Sequence, residues 1–201
     1  MGNFSEIFNE LISSLSRFPG VGRRSAERMA FFLLKMKPKD AQDIASKIND
    51  LHNNIKSCQV CNNFSTQDVC AICSNPNRNK DIICIVEEPK DVFAIEKTSQ
   101  YNGLYYVLLG SLSPFDDVGA GDLNIGKLLN RILKGDIKEV IIATDSDNDG
   151  ELTAQYLIKK ISNYKVKIYR ISIGIPLGTQ IEYIDSATLG KALAECRPIL
   201  E

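Results

Sequence analysis

Up to residue 54 the apolar positions recur at helical spacing. Residues 4–16 carry Phe4, Ile7, Phe8, Leu11, Ile12 and Leu15 on one stripe, with the opposite face polar. Phe18-Pro19-Gly20-Val21-Gly22 then breaks the helix. A second helix is predicted over 23–36, with Ala26, Met29, Ala30, Leu33 and Leu34 turned inward, and Pro38 ends it. A third is predicted over 39–54, with Ala41, Ile44, Ala45, Ile48 and Leu51 on one stripe and Asp40 as its cap. The period changes after residue 80. Short continuous apolar runs at 82–86, 105–109, 139–144 and 165–171 read as strands. They alternate with helical stretches at 89–98, 125–133 and 151–162. Buried strands with intervening helices predict a parallel sheet covered on both faces. Between the two regimes, Ser74-Asn75-Pro76-Asn77-Arg78-Asn79 is polar and turn-rich, and marks the main boundary.

The chain has 201 residues, of which 44% are hydrophobic, enough for one ordinary domain or two small ones. No run approaches the ~20 apolar residues of a membrane span, and no apolar leader segment opens the chain. A soluble cytoplasmic protein with no membrane partner is expected. The net charge of −1 argues against a generic nucleic-acid binder, but it is unevenly spread. Residues 1–80 carry 11 Lys/Arg against 7 Asp/Glu, and residues 81–201 carry 13 against 18. The basic half suits phosphates; the acidic half suits a divalent cation or a basic partner.

Cys58, Cys61, Cys70 and Cys73 form two CxxC pairs within sixteen residues. Two such turns bring four thiolates to the corners of a tetrahedron, the geometry Zn²⁺ takes in closed structural sites. The eight-residue spacer is short for a zinc finger yet lets two knuckles face each other. Two disulfides are the alternative, and nothing in the context favours an oxidising compartment. Cys84 reads as an inert core thiol in an apolar strand.

In the Pro19–Gly22 turn, glycines at 20 and 22 permit a tight reversal and a close approach to another surface. The helix that follows opens with free N–H groups, which bind phosphate without side chains. Arg23, Arg24 and Arg28 stand there against the helix dipole, and a bound polyanion supplies the reason. Gly20, Gly22, Arg23, Arg24 and Arg28 are therefore candidate DNA contacts, blind to base sequence. Solvated arginines, with Glu27 pairing to Arg23 or Arg24, are the bland alternative.

Thr144-Asp145-Ser146-Asp147-Asn148-Asp149-Gly150-Glu151 follows the strongest strand, and Glu87-Glu88 follows the first. If those strands are neighbours, Glu87, Asp145 and Asp147 converge as a candidate Mg²⁺ site of hard oxygen ligands. An EF-hand loop is excluded: its twelfth position, counted from Asp145, is Tyr156 rather than Glu, and a strand precedes it. Solvated acids suited to a helix N-terminus are the remaining alternative.

Glu87 after the first strand with Asp145-x-Asp147 after a later one looks like the Toprim domain of topoisomerases, bacterial primases, some nucleases and recombination mediators. The whole chain is more specific. It has a helix-hairpin-helix string, Phe-Pro-Gly-Val-Gly-Arg-Arg-Ser-Ala-Glu-Arg-Met-Ala-Phe from Phe18, and the four-cysteine segment Cys58 to Cys73. Val86-Glu87-Glu88-Pro89-Lys90-Asp91 and Gly110-Ser111-Leu112-Ser113-Pro114 follow. Gly174-Ile175-Pro176-Leu177-Gly178, Glu182-Tyr183-Ile184-Asp185 and Thr188-Leu189 come last. In order and wording these strings resemble the RecR family of bacterial recombination mediators over essentially all 201 residues.

That resemblance implies an α+β chain in four parts. They are a helical helix-hairpin-helix DNA-binding region (1–55), a four-cysteine zinc finger (56–79), an α/β Toprim domain with a parallel sheet (80–174) and a C-terminal oligomerisation segment (175–201). It implies a nucleoid-associated ring of four subunits around duplex DNA or single-strand/duplex junctions. The ring acts with RecO and RecF to displace single-strand-binding protein and load RecA at gaps in DNA. Arg24 and Arg28 match basic family positions and are carried over as DNA contacts; the zinc is structural. The chain departs from the family pattern at 144–151. Many RecR-like proteins have Asn-Pro-Thr in place of the acidic pair, whereas this string looks like the topoisomerase and primase version. A non-enzymatic clamp is expected, with a Mg²⁺-dependent Toprim phosphoryl transferase or nuclease as the alternative.

Overall fold

The computed structural model describes residues 2–115, 118–134, 137–172, 174–194 and 196, with side chains from Ser5 onward. The chain divides into two compact units, one ending at Ile55 and one beginning at Lys56.

The first unit is helical: α1 (Gly2–Leu15), α2 (Arg23–Lys35) and α3 (Pro38–Asn54). Its interior is a narrow seam where Ile12 meets Ala26 and Ala30, flanked by Phe8, Leu15 and Val21. The two alanines let α1 and α2 approach closely, and Phe8 tilts against Phe31 with ring centroids 4.6 Å apart. Two expectations fail here. Met29 and Leu34, expected inward, are exposed (42% and 59%). The α3 stripe of Ile44, Ile48 and Leu51, for which only a shared face was expected, is exposed as well, and no residue of α3 is buried. Helical periodicity marks a face that needs cover without saying what supplies it, and the α1–α2 seam is too narrow to cover all of it. Asp40 is also not the cap of α3. Lys37 stands at the N-cap, with no side-chain bond, and Pro38 opens the helix as its first residue. Its missing N–H and fixed φ suit that position.

The second unit begins with a two-residue ladder, β1 (Lys56–Ser57) against β2 (Phe64–Ser65), and the short helix α4 (Ala71–Ser74). Four parallel strands follow: β3 (Asn79–Val86), β4 (Gly103–Val107), β5 (Glu139–Ala143) and β6 (Lys167–Arg170), in the order β4-β3-β5-β6. All four expected strands form. Alternation along β3 feeds two cores. Ile83 and Ile85 join Tyr106, Val140 and Ile142 on one face, under α6 (Ile125–Lys134) and α7 (Asn148–Ile161). Cys84 and Val86 join Tyr105 and Val107 on the other, under Val92 and Ile95 of α5 (Pro89–Lys97). Placing α5 on one face and α6 and α7 on the other is what right-handed crossovers require for this strand order. The chain leaves β3 towards one side of the sheet and β5 towards the other. Their carboxyl ends therefore form the topological switch point, where ligands of open parallel sheets bind. A 3-10 turn (Ile181–Tyr183) and α8 (Ser186–Ala194) come last and bury no residue.

Candidate metal centre and nucleic-acid interface

The four cysteines come together. Their Sγ atoms all lie within 4.8 Å of one another, with Cys61 and Cys70 Sγ 3.6 Å apart, and all four thiols are free. Tetrahedral Zn–S bonds of about 2.3 Å place sulfurs ~3.8 Å apart, so the cluster fits the ion. Local hydrogen bonding builds each knuckle. Asn62 N–H donates to Cys58 O (2.9 Å), Ser74 N–H donates to Cys70 O (3.0 Å), and Cys70 N–H points at Cys58 Sγ (3.3 Å). Burial opposes ionisation of Cys58, but backbone N–H groups of Cys70, Val60 and Cys61 outweigh it and bring the thiol down to about 7. Cys61 is held far up by its bond to Cys73 and by burial. Four thiolates this close need a cation to ionise together. Cys84 is separate, a core thiol that burial pushes up to about 12.

The hairpin turn closes with Val21 N–H on Phe18 O (3.0 Å), Pro19 and Gly20 at its centre and Gly20 at φ +76°. Proline followed by a residue of positive φ is the type II pattern. Gly22 is the N-cap of α2 and offers no side-chain bond, so the first N–H groups of α2 are uncapped. Arg23, Arg24 and Arg28 are exposed, and among the described residues none of them forms a salt bridge, with Glu27 or otherwise.

The acidic residues meet at the switch point. β3 and β5 are neighbours, with Val86 opposite Ala143, so Glu87 reaches across and accepts the N–H of Asp145 at Oε1 (3.1 Å). Asp147 caps α7, its Oδ1 accepting Gly150 N–H (2.8 Å). The carboxylates do not gather as expected. Among the described residues, the four cysteines alone bring three or more ligand atoms within 4.8 Å of one another. Each carboxylate of the expected trio except that of Asp145 is already engaged by backbone. Glu87 is 7% exposed, and burial pushes its carboxyl up to about 7. The Asp145 N–H pulls the other way, while the charges of Asp145, Asp147 and Asp91 add to the rise. Arg170 enters this site unforeseen. Its guanidinium donates to the carbonyls of Ile142 (3.1 Å), Thr144 (2.9 Å) and Asp145 (3.1 Å) and stands 3.7 Å from Glu151. An arginine ending an otherwise alternating edge strand was its one sequence signal.

Four family profiles match the chain in series. They are RecR helix-hairpin-helix over 8–52, RecR four-cysteine zinc finger over 55–75, Toprim domain over 81–172 and RecR C-terminal over 174–195. The chain is 45% identical over 190 residues to the recombination protein RecR of Tropheryma whipplei strain TW08/27, covering 94% of this chain and 96% of that one. It is 44% identical over 191 residues to the RecR of Moorella thermoacetica (95% and 96% covered). With the RecR of Clostridium perfringens strain 13 it shares 45% over 184 residues (92% of each). The chain belongs to the RecR family. A RecR chain with a matched helix-hairpin-helix points to DNA binding and a role in recombination, and its matched zinc-finger profile with four gathered cysteines supports zinc. Cys58, Cys61, Cys70 and Cys73 would hold the ion, whose contribution is architectural: four protein ligands leave no open position for chemistry. Among the described residues no helix is long and apolar enough to cross a membrane.

Proposed function

We propose that this RecR chain is a non-enzymatic DNA clamp and adaptor in recombinational repair of gapped DNA. Four copies form a ring around duplex or single-strand/duplex junctions. In the cytoplasm, at the nucleoid, the ring acts with RecO and RecF to load RecA where single-strand-binding protein coats the DNA. The observation that carries this reading is the open N-terminus of α2, uncapped and flanked by three exposed arginines. Gly22 adds to it: its backbone is extended and, its chain neighbours aside, no heavy atom lies within 4 Å of the position a Cβ would take. The fold does not demand glycine there, whereas an incoming phosphate backbone does. Contacts of this kind are weak singly and gain from repetition round a ring.

A Mg²⁺-dependent phosphoryl transferase is the second reading. The position of Glu87, Asp145 and Asp147 at the switch point favours it, and the prior engagement of Glu87 and Asp147 by backbone N–H groups weighs against it. One set of measurements separates the two. Full-length protein is incubated with labelled gapped DNA and Mg²⁺, alongside Asp145→Ala and Asp147→Ala, and binding is titrated against salt for wild type and Arg24→Ala/Arg28→Ala. The clamp reading expects binding without product and a log–log salt slope shallower by about 1 for each phosphate contact removed. Metal-dependent cleavage or joining that both aspartate variants lose overturns it; an unchanged slope removes the arginines from the interface.

A further inference from the structure

The sheet has two edges, and β4 forms one of them. Along β4 and just past its end, the even-numbered residues bond to β3: Leu108 N–H, for instance, reaches Val86 O at 2.9 Å. Tyr105 and Val107, between them, turn their backbone groups outward, before Leu109 N–H turns back in to Glu87 O (2.9 Å). An edge left bare is a template for pairing with another chain, and here the outward groups are met from the cysteine segment and α6. Val107 N–H donates to Cys61 O (2.8 Å), and Val107 O accepts Asn62 Nδ2 (3.0 Å). Tyr105 O accepts Arg131 of α6 (2.7 Å), whose same nitrogen also reaches Val60 O (3.4 Å). The first cysteine knuckle thus takes the place of a fifth strand.

Asn62 is the hinge of this arrangement. It directly follows Cys61, is 5% exposed and sits at φ +62°, a left-handed conformation that asparagine tolerates better than most residues. Its side-chain oxygen accepts from Lys127 Nζ of α6 (3.1 Å) while its nitrogen donates to β4, which fixes the orientation of the amide. Ile72, between Cys70 and Cys73, packs both with the cysteines and with the core under α5.

We propose that Asn62 is a positioning residue for the metal centre. Clamped between Lys127 and the Val107 carbonyl, it sets the first knuckle for Zn²⁺, and Zn²⁺ in turn keeps the β4 edge closed. The inference rests on the four thiolates holding a metal. Partners outside the ligand set commonly govern metal affinity by about ten- to a hundredfold.

The test uses the full chain and Zn²⁺ itself. Zinc content is measured, Zn²⁺ affinity is read by competition with a chromophoric chelator, and amide exchange is resolved at Val107 and Leu108. Asn62→Gly keeps the left-handed backbone while removing the amide, and is expected to bind Zn²⁺ about ten- to a hundredfold more weakly. The exposed Lys127→Met follows in the same direction with a smaller loss, and Lys127→Arg retains wild-type affinity. In stripped wild-type protein the Val107 amide exchanges faster while Leu108, bonded to β3, stays protected. Wild-type affinity in both Asn62→Gly and Lys127→Met, or an unchanged Val107 amide after stripping, overturns the proposal alone. A wild-type chain that holds no zinc overturns it together with the zinc reading. Should Asn62→Gly fail to fold, the lysine variants and the wild-type exchange still decide.

Discussion

Gly20 lies at φ +76° behind Pro19, whereas Gly22 has φ −75° and open space where a Cβ would stand. Gly20→Ala is therefore expected to cost about 1 kcal/mol in denaturant unfolding, through backbone strain in the turn. Gly22→Ala is expected to leave stability within about 0.5 kcal/mol while weakening DNA binding, because its methyl group stands where a phosphate would approach. Equal effects of the two on stability would refute this division of labour. Glu87 supplies a pH prediction. Its carboxyl is raised from the ordinary 4.5 to about 7, so the folded state holds a proton that the unfolded chain has released. Below about 4.5 both states are protonated and no penalty exists; stability falls as pH climbs from there to about 7, and the full penalty persists above. Glu87→Gln keeps an acceptor for the Asp145 N–H and removes the charge. It is predicted to gain about 1–3 kcal/mol at pH 8 and nothing near pH 4, by urea titration at each pH. Parallel pH profiles for the two proteins would count against it. Single-residue roles were partly legible beforehand. CxxC spacing reported the metal cluster because neighbouring turns alone gather the thiols. Asn62, Lys127, Arg131 and Arg170 left almost no trace, since their bonds join residues distant in sequence and depend on side-chain orientation in the finished fold.

Among the elements, the junction of β5 and α7 turns on Gly150. A Cβ there would stand 2.3 Å from Asp145 O and 2.9 Å from Glu87 Oε1, with the carbonyl belonging to rigid backbone. The strand can turn straight into the helix because nothing occupies that space, and Asp147 then caps the helix through Gly150 N–H. Gly150→Ala is expected to push α7 from the end of β5 and cost about 1–3 kcal/mol despite alanine's better helix propensity. A gain in thermal stability would show the contact to be soft. Strands and helices of the second unit were readable because burial on both sheet faces writes continuous apolar runs. The acidic string was placed correctly at the switch point, while the role of its side chains was not legible. Asp and Glu near a helix N-terminus serve as caps and as cation ligands alike, and it is the folded junction that engages Asp147 as a cap.

On the scale of the whole molecule, apolar side chains stay uncovered in both units. Phe31, Phe32, Leu34, Ile44, Ile48 and Leu51 are exposed in the first, and Ile171, Ile175, Leu177, Ile181, Tyr183 and Leu193 in the second. Burial of one such side chain is worth about 1.5–3 kcal/mol, and lone soluble chains seldom leave this much apolar surface in water. The stripe of α3 is informative in this respect. Its helical period was read correctly from sequence and none of its residues is buried, so on the proposed ring it is the face offered to another copy. Ile48→Asp/Leu51→Asp, placed on a helix with no buried residue, is expected to leave the protomer folded and reduce the assembly to smaller species by native mass spectrometry. If the ring multiplies weak contacts, DNA affinity then falls by about two orders of magnitude or more, although every phosphate-facing arginine is intact. An unchanged assembly mass with wild-type DNA affinity would place the contacts between copies elsewhere. A smaller assembly that still binds DNA as wild type does would mean that one hairpin suffices, and the encircling mechanism would have to be abandoned.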